Sequence, residues 1–267
     1  MTLAPDIVRL ADANLLEAMR EHARWQDPCV FQEEAGLIMC AGATAHPGAF
    51  KNCVARIDPG LPAQEVVARA QHFFGARGRG FTLFTRDSCD DDLEQHLVSS
   101  GHAPRAETPC MAIEAPLAET GMPRGLRIER FREERHIGDA LAINAEAYQA
   151  LGLPPEETQA FYGRPQALLS ERVVGFVAYR DDAPVATALT ILSGSSAGVY
   201  WVGTVAGARR GGLGETCTRL ATNAGFASGA RIVTLQASPF GEPIYRKMGY
   251  TVCDRIKWFR FPAPPPA

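Results

Sequence analysis

The chain has 267 residues, 46% of them hydrophobic, which suits one large or two small domains with a sizeable core. Its 27 Lys and Arg against 30 Asp and Glu give a formal net charge of -3, so no long-range positive field favours nucleic acid as a partner. No apolar run approaches the roughly 18 residues of a membrane span, and the first six residues lack the charged-then-apolar pattern of a signal peptide. The seven cysteines (29, 40, 53, 89, 110, 217 and 253) are scattered with no Cys-x-x-Cys, which argues against a zinc site or a disulfide framework and makes a reducing cytoplasm the simplest compartment.

In chain order, Asp6 to Trp25 carries helical periodicity, and Gly36 to Ala43 and Cys53 to Ile57 read as strands. Pro62 to Phe74 reads as a helix, Phe81 to Phe84 as a strand, and Asp91 to Ser99 as a helix closed by Gly101. Cys110 to Ile113 ends this half as a strand. Small residues, Pro and Gly then mark a linker at 119–124, dividing a first domain, 1–118, from a second, 125–262, with a Pro-rich tail at 263–267.

The second half opens with a strand over Leu126–Phe131 and helical patterns over Arg135–Leu151 and Pro155–Glu171. Strands follow at Val173–Tyr179 and Val185–Leu192, joined by an Asp181-Asp182 hairpin turn, and at Val199–Val205. A helix over Glu215–Phe226, a strand over Arg231–Ser238 and a strand over Ile256–Phe261 complete the order. Gly101 and Gly249 lie 148 residues apart and end similar helices, so the chain reads as an internal repeat.

Between the Val199–Val205 strand and the following helix stands Arg209-Arg210-Gly211-Gly212-Leu213-Gly214. Glycines let the backbone approach an anion closely, and the first N–H groups of a helix have no partner inside it. The positive end of the helix dipole points at the same spot, and the arginines add charge-assisted hydrogen bonds. The spacing excludes a P-loop, since no Lys-Ser or Lys-Thr follows the glycines. It also departs from the G-x-G-x-x-G of a dinucleotide fold and falls too late in the chain.

Arg209-x-x-Gly212-x-Gly214 after a Val-rich strand resembles the acyl-CoA pyrophosphate loop of the GNAT superfamily of N-acetyltransferases. Ile244-Tyr245-Arg246-Lys247-Met248-Gly249-Tyr250, about 30 residues on, resembles that family's second signature, Leu-Tyr-x-Lys-x-Gly-Phe. The resemblance implies an α/β fold of α+β type: two tandem GNAT-like domains, each a mixed, mostly antiparallel sheet flanked by helices. It also implies that the first copy has lost its site. Where the second half has the arginine–glycine turn, the first has Asp58-Pro59-Gly60-Leu61-Pro62, acidic and short of N–H donors, and Leu97 stands where Tyr245 would. Arg77-Gly78-Arg79-Gly80 precedes a strand, not a helix, and is not a phosphate loop.

Carried over residue by residue, the resemblance assigns acetyl-CoA as acyl donor to Thr204, Val205, Arg209, Arg210, Gly211, Gly212, Leu213, Gly214, Ser238 and Tyr245. Tyr245 takes the place of the family's general acid toward the leaving thiolate. Ser238 stands where many relatives have an Asn, and it also suits a helix cap ahead of Pro239. Glu146, with Tyr148 beside it, becomes the candidate general base, with Glu242 behind it; a water chain without a dedicated base is the alternative. Cys217, inside the helix under the loop, reads as core, and the six histidines form no spaced metal pattern. The expected protein is therefore a cytoplasmic acetyl-CoA-dependent N-acetyltransferase, monomer or homodimer, without metal, acting on a small-molecule amine by direct attack. A non-catalytic acyl-CoA-binding protein, or an acyltransferase for a thiol-carrying sugar or a protein N-terminus, is the alternative. Tyr200 and Trp201 are expected to narrow an acetyl-sized pocket if their strand register turns them inward.

Overall fold

A computed structural model describes residues 5–121 and 125–264. The start of the chain, half of the expected linker and the last three residues of the tail lie outside them.

The first half contains α1 (Pro5–Trp25), β1 (Val30–Glu34), β2 (Leu37–Ala41), β3 (Asn52–Arg56), α2 (Ala63–Gly75), β4 (Phe81–Arg86), α3 (Asp91–Ser99) and β5 (Ala106–Ile113). The second contains β6 (Leu126–Arg130), α4 (Glu134–Ala147), α5 (Pro155–Gln159), β7 (Val173–Arg180), β8 (Ala183–Ser193), β9 (Ser196–Thr204), α6 (Leu213–Ala227), β10 (Ile232–Gln236), α7 (Glu242–Met248) and β11 (Thr251–Phe261). Two departures from the sequence reading have local causes. β1 is an edge strand whose Gln32, Glu33 and Glu34 lack apolar alternation. The helix expected over 155–171 breaks into a short α5 and 3-10 turns because Gly163 and Pro165 interrupt it. The hairpin at Asp181-Asp182 is as expected, both residues having positive φ, as a type I′ turn requires.

The eleven strands of the described residues form one sheet, in the order β1-β2-β3-β4-β11-β5-β10-β9-β8-β7-β6. The two tandem units exchange their last strands. β11 of the second half pairs with β4 of the first, from Ile256 opposite Arg86 to Phe261 opposite Phe81. β5 of the first half pairs with β10 of the second, from Val233 opposite Ile113 to Gln236 opposite Cys110. The exchanged strands also pair with each other. The sheet is therefore continuous across the boundary that composition places at the linker.

Strand alternation divides the core between the two faces. Leu37, Met39, Val54 and Leu83 face α2 and α3, and Ile38, Cys40, Cys53 and Phe84 face α1. In the second half α6 packs on one face through Leu213, Cys217 and Ala221, four residues apart and so on one side of the helix. α4 packs on the other through Ile137, Ala140 and Ile143, beside Trp25 of α1. Burying each larger apolar side chain contributes about 1.5–3 kcal/mol. The segment just before the expected linker is held to α6 by Asn223, which accepts from the Leu117 N–H at 2.8 Å and donates to the Leu117 carbonyl at 2.9 Å.

Candidate active site

The site begins where β9 and β10 part. They pair in parallel from Ser196 opposite Ile232 to Gly198 opposite Thr234, and no further. β9 continues to Thr204 along β8, with an irregular register. Thr187 faces Gly203 and Leu189 faces Tyr200, so the single residue Ala188 lies opposite both Trp201 and Val202. This is a β-bulge, and Trp201 sits in it at φ +52°, which for a bulky residue costs about 1–3 kcal/mol.

Beyond β9 the chain turns through Arg210 at φ +64° and Gly212 at φ +74° into α6. The first bond of the helix runs from the Thr216 N–H to the Gly212 carbonyl at 2.9 Å, so the N–H groups just before it head the helix without intrahelical acceptors. Arg209 and Arg210 are exposed, and Arg209 donates through Nε to the Thr204 carbonyl at 3.2 Å, which fixes it across the turn. The sequence reading missed Arg180, at the end of β7. Its Nη2 lies 3.8 Å from where a side-chain carbon on Gly211 would be, which brings a third guanidinium to the loop. Its only sequence signal is a basic residue just before the hairpin.

A cleft of about 460 Å³ runs from this loop between the end of α4 and α7. Thr204, Arg209, Arg210, Gly212, Leu213, Gly214, Ser238 and Tyr245 all line it. Val205 and Gly211 do not line it: Gly211 is exposed, and the Val205 N–H donates to the Val185 carbonyl at 3.1 Å, closing the strand pair. The charged lining residues, Arg209, Arg210 and Glu215, all belong to the loop and the start of α6, and the opposite walls are Ala147, Tyr148, Leu151, Val202, Phe240 and Ile244.

Tyr245 rises from α7 with its ring against Gly241, where a side-chain carbon would lie 2.7 Å from the ring. Burial pushes its phenol up to about 12, with the Thr218 hydroxyl pulling the other way. Across the cleft, Tyr148 is also raised by burial. Ser238 lines the cleft and caps the turn before α7, its Oγ accepting from the Gly241 N–H at 3.1 Å. Cys217 is fully buried and its thiol is pushed up to about 12, in keeping with a core role.

Glu146 is not brought onto the cleft wall with Tyr245. Its carboxylate, exposed at the end of α4, accepts from the Ala206 N–H at 2.6 Å, just past β9. Glu242 is paired with Arg246 at 2.6 Å. Tyr200 and Trp201 do not narrow the cleft. Both turn to the α1–α4 side of the sheet, where the Tyr200 hydroxyl donates to Asn14 and the Trp201 indole to His22.

The matching place in the first half, where β3 and β4 part after Val54 opposite Leu83, is filled from within. The buried Arg56 guanidinium donates to Asp90 at 2.9 Å, to Asp92 at 2.6 Å and to the Leu61 carbonyl at 3.1 Å, binding the Asp58–Pro62 turn in place. Among the described residues no group of three or more His, Cys, Asp or Glu is placed to hold a metal ion, and no helix is long and apolar enough to cross a membrane.

In the second half a strand pair thus splays over a glycine- and arginine-rich helix start, beside a buried tyrosine. Residues 117–240 match the family model of the acetyltransferase (GNAT) domain, a stretch that contains the loop and ends before Tyr245. Residues 117–240 are thus similar to a GNAT acetyltransferase domain, and the chain as a whole has the fold of a tandem GNAT protein. It is similar to a GCN5-related N-acetyltransferase from Kribbella flavida, at 23% identity and a TM-score of 0.73, over 99% of this chain and 97% of that one. A GCN5-related N-acetyltransferase from Sphaerobacter thermophilus follows at 17% identity and TM-score 0.66, over 98% and 93% of the two chains. A tandem GNAT protein from the clavulanic acid biosynthesis pathway shares 13% identity at TM-score 0.66, over 100% and 98%. No curated protein matches the sequence.

Proposed function

We propose that the protein is an acetyl-CoA-dependent N-acetyltransferase with one working site per chain. It would transfer acetyl to the primary amine of a small molecule by direct attack in a ternary complex. The observation that carries this is a single cleft joining the basic start of α6 to the buried phenol of Tyr245. The residues present fit acetyl-CoA: Arg209, Arg210 and the N–H groups at the head of α6 would hold the pyrophosphate, and Thr204 and Ser238 would flank the arm. When bound, acetyl-CoA supplies an activated acyl thioester. Backbone donors of the bulged strand, near Val202 and Gly203, would polarise its carbonyl, an effect worth roughly 3–4 kcal/mol of barrier.

Tyr245 stays protonated throughout the neutral range because burial raises it to about 12. A thiol ionises near 8.5, so the departing sulfur receives a hydrogen bond and shares the proton. We assign Glu146 first to holding the exit of β9, since the Ala206 N–H occupies its Oε1, and leave the amine proton to water at the open mouth. The apolar walls opposite the arginines favour a small acceptor with an apolar body over a basic protein tail.

The test is calorimetric titration with acetyl-CoA, followed by CoA release over a broad panel of amines. We expect one binding site per chain, lost in an Arg209→Glu/Gly212→Asp variant, and turnover that depends on Tyr245. Two sites would mean that the first half also works. No binding would end the acyltransferase reading. Binding with no turnover on any amine would favour a non-catalytic acyl-CoA-binding protein.

A further inference from the structure

Two buried side chains of α1, Asn14 and His22, hold two consecutive residues of β9. Asn14 Oδ1 accepts from the Tyr200 hydroxyl at 2.9 Å, and its Nδ2 donates to the Ile191 carbonyl at 3.0 Å and to Ser193 Oγ at 2.8 Å. His22 Nε2 accepts from the Trp201 indole Nε1–H at 2.8 Å, and Nδ1 lies 2.6 Å from the Ala18 carbonyl. An indole nitrogen only donates, so His22 Nε2 is bare and Nδ1 carries the proton. Burial holds the ring neutral by lowering it to about 4, and His22 stacks on Phe50 at 4.5 Å.

These contacts fall on the irregular part of β9. Consecutive residues of a regular strand point to opposite faces. Val199 packs on the α6 side, and Tyr200 then points to the α1 side, as alternation requires. Trp201 also points to the α1 side, because the bulge turns its backbone to φ +52°. A slip into regular register would turn Trp201 over and move every following side chain to the opposite face. The following residues, Val202, Gly203 and Thr204, are the ones that line the cleft. Trp201 also meets Tyr148, the tyrosine of the opposite wall, with ring centres 5.0 Å apart.

We propose that Asn14 and His22 are positioning residues for acyl transfer, through which the first half of the chain sets the bulged strand that lines the second half's cleft. This rests on the reading of β9 as the strand that carries the acyl donor. It gives the first half, whose own counterpart is filled by Arg56 and Asp90, a role in the reaction without a ligand of its own.

Three variants test it. His22→Phe removes the acceptor and keeps a ring to stack on Phe50. Trp201→Phe removes the donor from the other side. His22→Gln keeps an acceptor near the position of Nε2. We expect His22→Phe and Trp201→Phe to lower kcat about tenfold or more, while the Kd for acetyl-CoA changes less than about threefold, because the phosphate loop is untouched. His22→Gln is expected to stay within about threefold of the parent in kcat. Unchanged kcat in His22→Phe and Trp201→Phe would overturn the proposal. So would a parallel loss of kcat, acetyl-CoA affinity and thermal stability in all three. Amide and indole NMR provides a readout independent of turnover: the Trp201 indole signal and the Val202–Thr204 amides should move in His22→Phe and return in His22→Gln. If they do not move, the clamp is wrong even if the enzyme works. If they move but the parent binds no acetyl-CoA, the acyltransferase reading has failed and the clamp stands.

Discussion

Arg56 and Asp90, both fully shielded from solvent, meet at 2.9 Å beside the point where β3 and β4 separate. Asp90 also accepts from Arg86 Nε at 2.7 Å and from the Arg86 backbone N–H at 3.0 Å. In the second half the matching space between β9 and β10 opens into the cleft. One copy of the repeat has filled with its own ion pair the gap that the other leaves open.

Removing Asp90 leaves two buried guanidinium groups short of a partner. Asp90→Ala is expected to lower stability by about 3–5 kcal/mol. Urea unfolding followed by circular dichroism measures this. Acetyl-CoA stoichiometry should remain one, because the Asp58–Pro62 turn still lacks donors for a pyrophosphate.

Tyr245→Phe should lower kcat by about 10²- to 10⁴-fold while leaving acetyl-CoA affinity nearly intact, since it removes a proton donor and little surface. The folded phenol ionises near 12, above the ordinary value of about 10. Tyr245 therefore remains a donor as pH rises, and the kcat profile should show no alkaline fall from this group up to about pH 10. A fall with an apparent pKa near 9 that vanishes in Tyr245→Phe would contradict the environment described for it.

His22 makes a contribution to acid sensitivity whose sign follows from its burial. Its folded value, about 4, lies below the ordinary value of about 6.5. Between those pH values the unfolded chain binds a proton that the folded chain refuses, so stability falls as pH drops from 6.5 to 4, by about 3 kcal/mol in all. His46 and His136, also lowered by burial, act with the same sign. Chemical denaturation at pH 7, 5.5 and 4.5 should show a shallower decline in His22→Gln than in the parent.

Gly203 has no room for a side chain. A carbon there would lie 2.3 Å from Oδ1 of the buried Asn144, whose Nδ2 donates to the Tyr162 hydroxyl at 3.0 Å. Gly203→Ala must push Asn144 off Tyr162 or shift β9. A loss of about 1–3 kcal/mol is expected in thermal or urea unfolding, with weaker acetyl-CoA binding in titration because Gly203 lines the cleft.

Most elements were legible in the sequence because their signals are local. The helix over Asp91–Ser99 is as read, and the helix expected over Glu215–Phe226 extends by two residues at its start and one at its end. Gly101 and Gly249, the paired ends of the repeat, both adopt positive φ, at 86° and 100°. β1 was missed because an exposed edge strand needs no apolar stripe. The facing of Trp201 could not be read because a bulge breaks the alternation on which such a reading depends.

By itself the sequence determined the glycine-rich turn into α6, since a glycine with positive φ followed by free helix N–H groups is a property of six consecutive residues. It determined the helix that presents Tyr245 for the same reason. Tertiary structure alone decided the exchange of β5 and β11, the filling of the first half's gap by Arg56, and the bond between His22 and Trp201. It also decided that Glu146 meets a backbone N–H and not the cleft. Each of these depends on which distant segments pair, 179 residues apart for His22 and Trp201. Periodicity along a chain records which face of an element is buried, but it carries no record of the partner that buries it.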